Sequence, residues 1–542
     1  MTSLRSLFGL CLAAWLAVSQ TCAAHFVWIV PQEGKVQVYF SEAAEPDDPA
    51  LLKKLTAAQL WAKSSDPRAK EPFQALPLAL ANDELTATNP SSVGVYGLSH
   101  DYGVLTKGES TFRLRYFAKA YGSPLPGQWS AVGDAQRLPL ELTPAWQNGK
   151  LVLTATWQGK PAAGLAVRVD GCGLDAFEAD TDDAGRIVCE PTAKGLLSAR
   201  VKHVDTTADE VDGKKFSETR SYSTLSLAVE PPAVKAVTHA LPAFEKGMTS
   251  FGAAVAGDHL YVYGGHYGGA HHYSTEGQSG DFRRLSLTAA QPQWENLPGG
   301  PKLTGLAFVE HKGKLYRIGG FTAKNGESED QSLWSQDSFA MFDPVTKTWT
   351  DLPALPEARS SHDAAVVDGK LYVVGGWKLA GQEDTRWHDT AWVCDLNRND
   401  RKWEPLATPP FHRRALSLAA HAGKLYVLGG MQEQGGPSTR CDVYDPSLKT
   451  WSQGPSLVGN GMEGFGNSSF DIHGRLTAST MSGSVQQLSA DGQRWELAGQ
   501  LAHPRFFHRL LHATADRAII VGGASMTTGK TLELELLTTQ SR

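Results

Sequence analysis

An apolar strand that runs into a pair of glycines recurs through the second half of this chain. It reads Leu-Tyr-Val-Tyr-Gly-Gly up to Gly265, Leu-Tyr-Arg-Ile-Gly-Gly up to Gly320, Leu-Tyr-Val-Val-Gly-Gly up to Gly376 and Leu-Tyr-Val-Leu-Gly-Gly up to Gly430. The pairs begin at Gly264, Gly319, Gly375 and Gly429, at intervals of 55, 56 and 54 residues. A last pair begins at Gly522, 93 residues further on, which leaves room for one degenerate copy. A fixed period of this length means a propeller or an array.

Each copy carries the same parts. A turn such as Lys312-Gly313, Asp368-Gly369 or Ala422-Gly423 precedes the Tyr strand, so two strands form a hairpin. An alternating strand follows, with an Asp-Pro turn at Asp343-Pro344 and Asp445-Pro446, and then a Trp: Trp294, Trp349, Trp403, Trp451 and Trp495. The glycines suit a place where backbones crowd, and the Trp supplies a large buried area between neighbouring sheets. These units resemble the kelch repeat. The fifth copy keeps Trp495 and a turn at His473-Gly474, but Thr480-Met481 stands where its glycines belong. The sixth keeps its glycines and a strand from Leu532 to Leu537, yet no Trp follows. An orphan segment, Val237 to Pro242, resembles the end of a blade and is expected to supply the outer strand of the last one, closing a ring of six.

The expected fold is all-β: an N-terminal pair of β-sandwich-like domains followed by a six-bladed kelch propeller over 237–542. With 542 residues, 41% hydrophobic and 15 Trp, the chain can fill several cores. A net charge of −6 and no basic stripe argue against a nucleic-acid partner. Arg5, an apolar run from Leu7 to Val18 and Cys22-Ala23-Ala24 read as a secretory leader over 1–24, which implies a periplasmic or secreted protein. That run is too short to span a bilayer, and no other span is expected. Of the remaining cysteines, Cys172 and Cys189 fall in one small β region and are candidates for a disulfide in an oxidising compartment. Cys394 and Cys441 are offset by one residue relative to their Trp, which points them to opposite sheet faces as free packing residues.

Residues 25–137 open with a hairpin, His-Phe-Val-Trp-Ile-Val-Pro from His25 and Val-Gln-Val-Tyr-Phe-Ser-Glu from Val36. Residues 138–229 show strands from Leu151 to Trp157, Leu165 to Val169 and Leu225 to Val229, spaced as in an immunoglobulin-like sandwich. Residues 230–236, with Pro231-Pro232, read as a linker. The opening His25 run, together with Lys202-His203-Val204-Asp205, Asp212-Gly213-Lys214-Lys215-Phe216 and Tyr222-Ser223-Thr224-Leu225, resembles an exported bacterial family of unknown function once described as a periplasmic component of nickel/cobalt uptake.

Cleavage after Ala24 gives His25 a free α-amine beside its imidazole, a chelate suited to Cu(II) or Ni(II). His100 and His203 are the candidates for a further nitrogen. No Cys-x-x-Cys or His-Glu-x-x-His pattern points to zinc. In the propeller, counting back from the glycine pairs places Arg359 and Arg413, with Arg505 one residue off, at one mouth of the channel, where His266 and Trp377 also fall. Arginine forks beside an aromatic face suit a carboxylated or saccharide ligand; the competing reading is that the arginines pair with carboxylates such as Glu357. His271 and His272 sit in a Gly-rich loop beside His266. The expected function is an exported binding protein holding a small molecule, glycan or protein at the propeller mouth. The alternative is a carbohydrate-active enzyme, since the propeller is similar to the six-bladed kelch sialic-acid mutarotases. Glu463 and His362, at the starts of inner strands, are its acid/base candidates.

Overall fold

The structure, a computed structural model, describes residues 25–539 apart from 33, 65–69, 90–92, 123–128, 148–149, 230–233, 238–240 and 515–516. The leader over 1–24 and the Pro231-Pro232 dipeptide lie outside the described residues. Strands dominate the rest, helix being short 3-10 turns such as Pro49–Leu55 and Gly461–Gly464. No helix among the described residues is long and apolar enough to cross a membrane.

Three sheets build the N-terminal part. The middle one has eight strands, in the order Leu174–Asp180, Ala166–Gly171, Gly195–Asp205, Glu218–Val229, Ser110–Tyr121, Val93–Lys107, Gln59–Ser64 and Phe73–Leu76. Alternation sends Tyr116 to one of its faces and Phe117 to the other. On the first face it packs against the sheet that holds the opening hairpin, Phe26–Pro31 with Lys35–Ser41, around Val27, Ile29, Val38 and Tyr96. On the second it packs against Leu140–Gln147 and Lys150–Trp157, around Trp61, Leu153, Val169 and Leu225. Two sandwiches form, as the alternation predicts, but they share the middle sheet. Strand Glu218–Val229 runs parallel to Ser110–Tyr121, so a division at 137/138 passes through a single hydrogen-bonded layer.

Lys119 and Glu141 tie that layer to the next across the proposed division. Both are buried, and Lys119 Nζ donates to the Glu141 carboxylate, which also accepts from the Val132 amide at 2.7 Å. Burial pulls the Lys119 ammonium down to about 8 against the opposing pull of Glu141. The expected Cys172–Cys189 disulfide is not formed. Both thiols are free, with Cys189 donating to the Leu151 carbonyl at 3.6 Å, and burial pushes them up to about 11 and about 12.

The propeller has six blades. Their innermost strands are Gly252–Ala256, Ala307–His311, Asp363–Val367, Ser417–His421, Ser468–Ile472 and Arg509–Thr514. Blades one to five are antiparallel sheets of four strands. The sixth takes its outer strand from Val234–Val237, antiparallel to Glu535–Thr539. The closing ribbon therefore exists, but it lies just upstream of the expected Val237–Pro242 segment, and half of the expected linker is strand. Val234 also bridges to Gly499 of blade five, which joins the last two blades into one sheet.

Each blade's Trp donates its indole N–H to a carbonyl at the end of the preceding blade. The pairs are Trp294 to Pro242, Trp349 to Pro298, Trp403 to Pro353, Trp451 to Ala407 and Trp495 to Pro455, all at 2.8 to 3.1 Å. The glycine pair has two separate steric reasons. A Cβ on the second glycine would meet its own inner strand, as Gly376 would meet His362 at 2.8 Å. A Cβ on the first would meet the next blade, as Gly375 would meet Leu416 at 2.5 Å and Gly522 would meet Phe251 at 2.5 Å. Both cysteines of the propeller are buried. Cys394 packs towards blade two and Cys441 towards blade five, so they do occupy opposite faces.

Candidate functional site

The mouth at the glycine pairs begins as a backbone ring. Two residues ahead of each inner strand, Ser250, Gly305, Ser361, Ala415, Gly466 and Phe507 adopt the left-handed region with φ between 51° and 64°. The amides of Gly305, Ser361, Ala415 and Phe507 donate to the ring carbonyl of the preceding blade at 2.7 to 2.8 Å. The ring encloses a space of about 60 Å³, room for one or two waters. Beyond it the channel widens to about 580 Å³, walled by the inner strands of all six blades. Arg509 borders both spaces. From blade six it reaches both carboxylate oxygens of Asp363 in blade three, at 3.1 Å each.

The three aligned arginines do not face the mouth. Arg359, Arg413 and Arg505 are fully buried inside their own blades. In each, one guanidinium nitrogen donates to the carbonyl of the blade's first paired glycine (Gly375, Gly429 or Gly522) and to the carbonyl ahead of the third strand (Thr390, Arg440 or Glu533). The other nitrogen meets a carboxylate: Glu357 at 3.4 Å, Asp442, and Glu535 at 3.2 Å. Burial pulls Arg359 and Arg413 down to about 10, with the carboxylates opposing it. They are stitches between strand ends, and the assignment of ligand contact to them is corrected.

The acid/base candidates are likewise enclosed. Glu463 is buried on the Gly461–Gly464 turn, where its carboxylate accepts from Thr480 at 2.5 Å and from the Ser482 hydroxyl at 2.7 Å. In the blade that lacks both the arginine and the glycine pair, this carboxylate holds the strand ends together. His362 is buried against Gly319 of blade two, and burial drives its imidazole well below the usual range. Glu463 is held by its hydroxyl donors, whereas His362 borders the small space inside the ring.

His266 is also structural. Its Nε2 lies 2.9 Å from the His272 carbonyl and its own carbonyl accepts from Lys530 of blade six at 2.8 Å, fixing the Gly-rich loop. Burial pulls its imidazole down to about 4. Trp377 does stand at the mouth, partly exposed. The residue that the sequence reading missed lies on it. The Arg414 guanidinium stacks 3.8 Å above the Trp377 ring and 5.5 Å from Trp387. Arg413 and Arg414 form one short strand paired with Met431–Gln432, so alternation buries one and turns the other to the mouth. Arg414 makes no hydrogen bond or ion pair among the described residues. Tyr273, from the loop of blade one, comes within electrostatic reach of it and packs edge-on against Phe321.

The N-terminal histidines do not converge. His100 pairs with Tyr116 and faces the first core. His203 stacks on Trp157 at 4.0 Å, in the second core on the opposite face of the shared sheet. His25 turns to Asp47 at 3.2 Å. A layer of β-sheet thus separates His203 from His25 and His100, and His203 is corrected as a candidate for the further nitrogen. Among the described residues no group of three or more His, Cys, Asp or Glu is arranged to hold a metal ion.

The profile described as "KLHDC2/KLHL20/DRC7 Kelch-repeats domain" matches residues 250–476 and 305–523, which together span just over half of the chain. The chain belongs to the kelch-repeat family. It is 29% identical over 150 residues to Kelch-like protein 35 of Mus musculus, covering 28% of this chain, and 27% identical over 185 residues to Kelch-like protein terF of Aspergillus terreus, covering 33%. It spans only 22% and 38% of the length of these two relatives. A solved structure, "Structure of YjhT", aligns over 56% of this chain and 99% of its own at 15% identity and a TM-score of 0.45.

Proposed function

We propose that this kelch protein is an exported binding protein that holds a small organic anion, an organic acid or a carboxylated saccharide, on the loops at the glycine-pair mouth. The observation that carries the reading is Arg414: a partly exposed residue whose guanidinium stacks on Trp377 with no carboxylate beside it among the described residues. A guanidinium fork offers two parallel donors to a carboxylate, and the flanking indoles offer a flat apolar face. The three aligned arginines, by contrast, are spent inside the blades.

The test is a calorimetric screen of carboxylated sugars and organic acids against the full chain and its Arg414→Ala and Trp377→Ala variants. Binding that weakens by tenfold or more in both supports the reading, since a charge-assisted bidentate pair contributes about 1.5–3 kcal/mol. Ligands that bind both variants as tightly as the parent chain would remove it. Sequencing of the mature N-terminus tests the export that the reading assumes, with His25 expected as the first residue.

A further inference from the structure

The opposite end of the channel, where inner strands turn into second strands, carries a second constellation that the mouth reading does not use. His473 stands in the turn of blade five and His512 on the inner strand of blade six. Their Nε2 atoms lie 3.0 Å apart with the rings edge-to-face at 87°. His473 Nε2 is also 3.2 Å from the Thr514 carbonyl oxygen. These donor atoms belong to two different blades, and His512 and Thr514 line the 580 Å³ cavity.

Two imidazole nitrogens bound to one ion at about 2.0–2.1 Å stand about 3.0 Å apart at a right angle and about 3.3 Å apart in a tetrahedron. The observed separation matches the first. The Thr514 carbonyl oxygen, at a similar distance from one of the nitrogens, extends the edge of a coordination shell. Asp471, two residues before His473, adds a negative field. It is held by His421 Nδ1 at 2.7 Å and by the Gly474 amide, and its charge acts on His512.

We propose that His473 and His512, with the Thr514 carbonyl, form a binding site for a single divalent ion of the Cu(II), Ni(II) or Zn(II) class at the hairpin end of the propeller channel. Imidazole pairs select these ions over Mg(II) and Ca(II), which demand oxygen cages. The site is separate from His25 and does not depend on the ligand proposed for the other mouth.

The experiment is titration of the untagged full chain with Cu(II) and, separately, Zn(II), followed by calorimetry and, for copper, electron paramagnetic resonance. The parent chain is expected to bind one ion whose copper spectrum shows coupling to two imidazole nitrogens. His473→Ala and His512→Ala are each expected to lose that spectrum and weaken binding at least tenfold, while His25→Ala retains both. Circular dichroism melts of the two variants check that they fold; His512→Gln, close in size, serves if the alanine variant does not. Unchanged stoichiometry and spectrum in the His473 and His512 variants, or no binding by the parent, would show that the contact is only an imidazole–imidazole hydrogen bond.

Discussion

Arg413 and Arg414 are neighbours in the chain with opposite surroundings. The first is buried, donating to Gly429 and Arg440 carbonyls and to Asp442, whose side chain has no exposure. The second rests on Trp377 with its guanidinium turned to the loops. Arg413→Ala strips a partner from a buried carboxylate and leaves two carbonyls without their donor, a loss of about 3 kcal/mol or more. Arg414→Ala removes one stacking contact, about 0.5–1 kcal/mol. Urea unfolding of the two variants is expected to separate them by that margin; equal losses would mean that the buried stitch has been misread. The sixteen-residue offset to the glycine pair did locate a repeated arginine. It could not say that the repeat served the blade itself, because a residue that recurs in several blades is equally well explained by closing each sheet. Arg414 has no counterpart in the other blades, and no periodic argument reaches it.

At the scale of the element, strand identity was legible because glycine and tryptophan have no substitutes there. The glycines answer to atoms that stand 2.3 to 3.0 Å from where a Cβ would be, and the Trp answers to a carbonyl one blade back. Trp403→Phe leaves a smaller apolar ring and deletes the N–H, leaving the Pro353 carbonyl without its 2.9 Å donor. The expected cost is about 1–2 kcal/mol, read as a lower urea midpoint at unchanged slope. A cost near zero would mean that water replaces the indole at that carbonyl. Where a blade departs from the pattern, the compensation was not legible. Glu463 serves blade five through Thr480 and Ser482, a set of contacts made by side chains that no other blade repeats in sequence. The boundary at 137/138 was equally hidden, since parallel pairing of Ser110–Tyr121 with Glu218–Val229 leaves no local mark.

For the molecule as a whole, the buried histidines set the response to acid. Burial holds His266 and His388 at about 4 and His508 at about 3, against 6.5 when unfolded. Between those values the unfolded chain binds protons that the folded chain does not, so stability rises with pH across the window and is lost as pH falls from 6.5 towards 4. Each such group adds a slope of up to about 1.4 kcal/mol per pH unit. Thermal melts at half-unit steps are expected to fall steadily below pH 6.5, with a shallower slope in His266→Gln. A flat profile from pH 7 to pH 4.5 would contradict the burial of these rings.

The ribbon Val234–Val237 joins the ring to the last strand of blade six, pairing Val234 with Thr539. It leaves the ribosome before any blade and finds its partner only after blade six has been made. Until then the toroid has an open seam, and every intermediate on the way offers two raw sheet edges to whatever is nearby. A protein assembled in this order needs its N-terminal half folded early and a keeper for the waiting ribbon, so shortened chains are candidates for exchange of that ribbon between copies and not merely for loss of it.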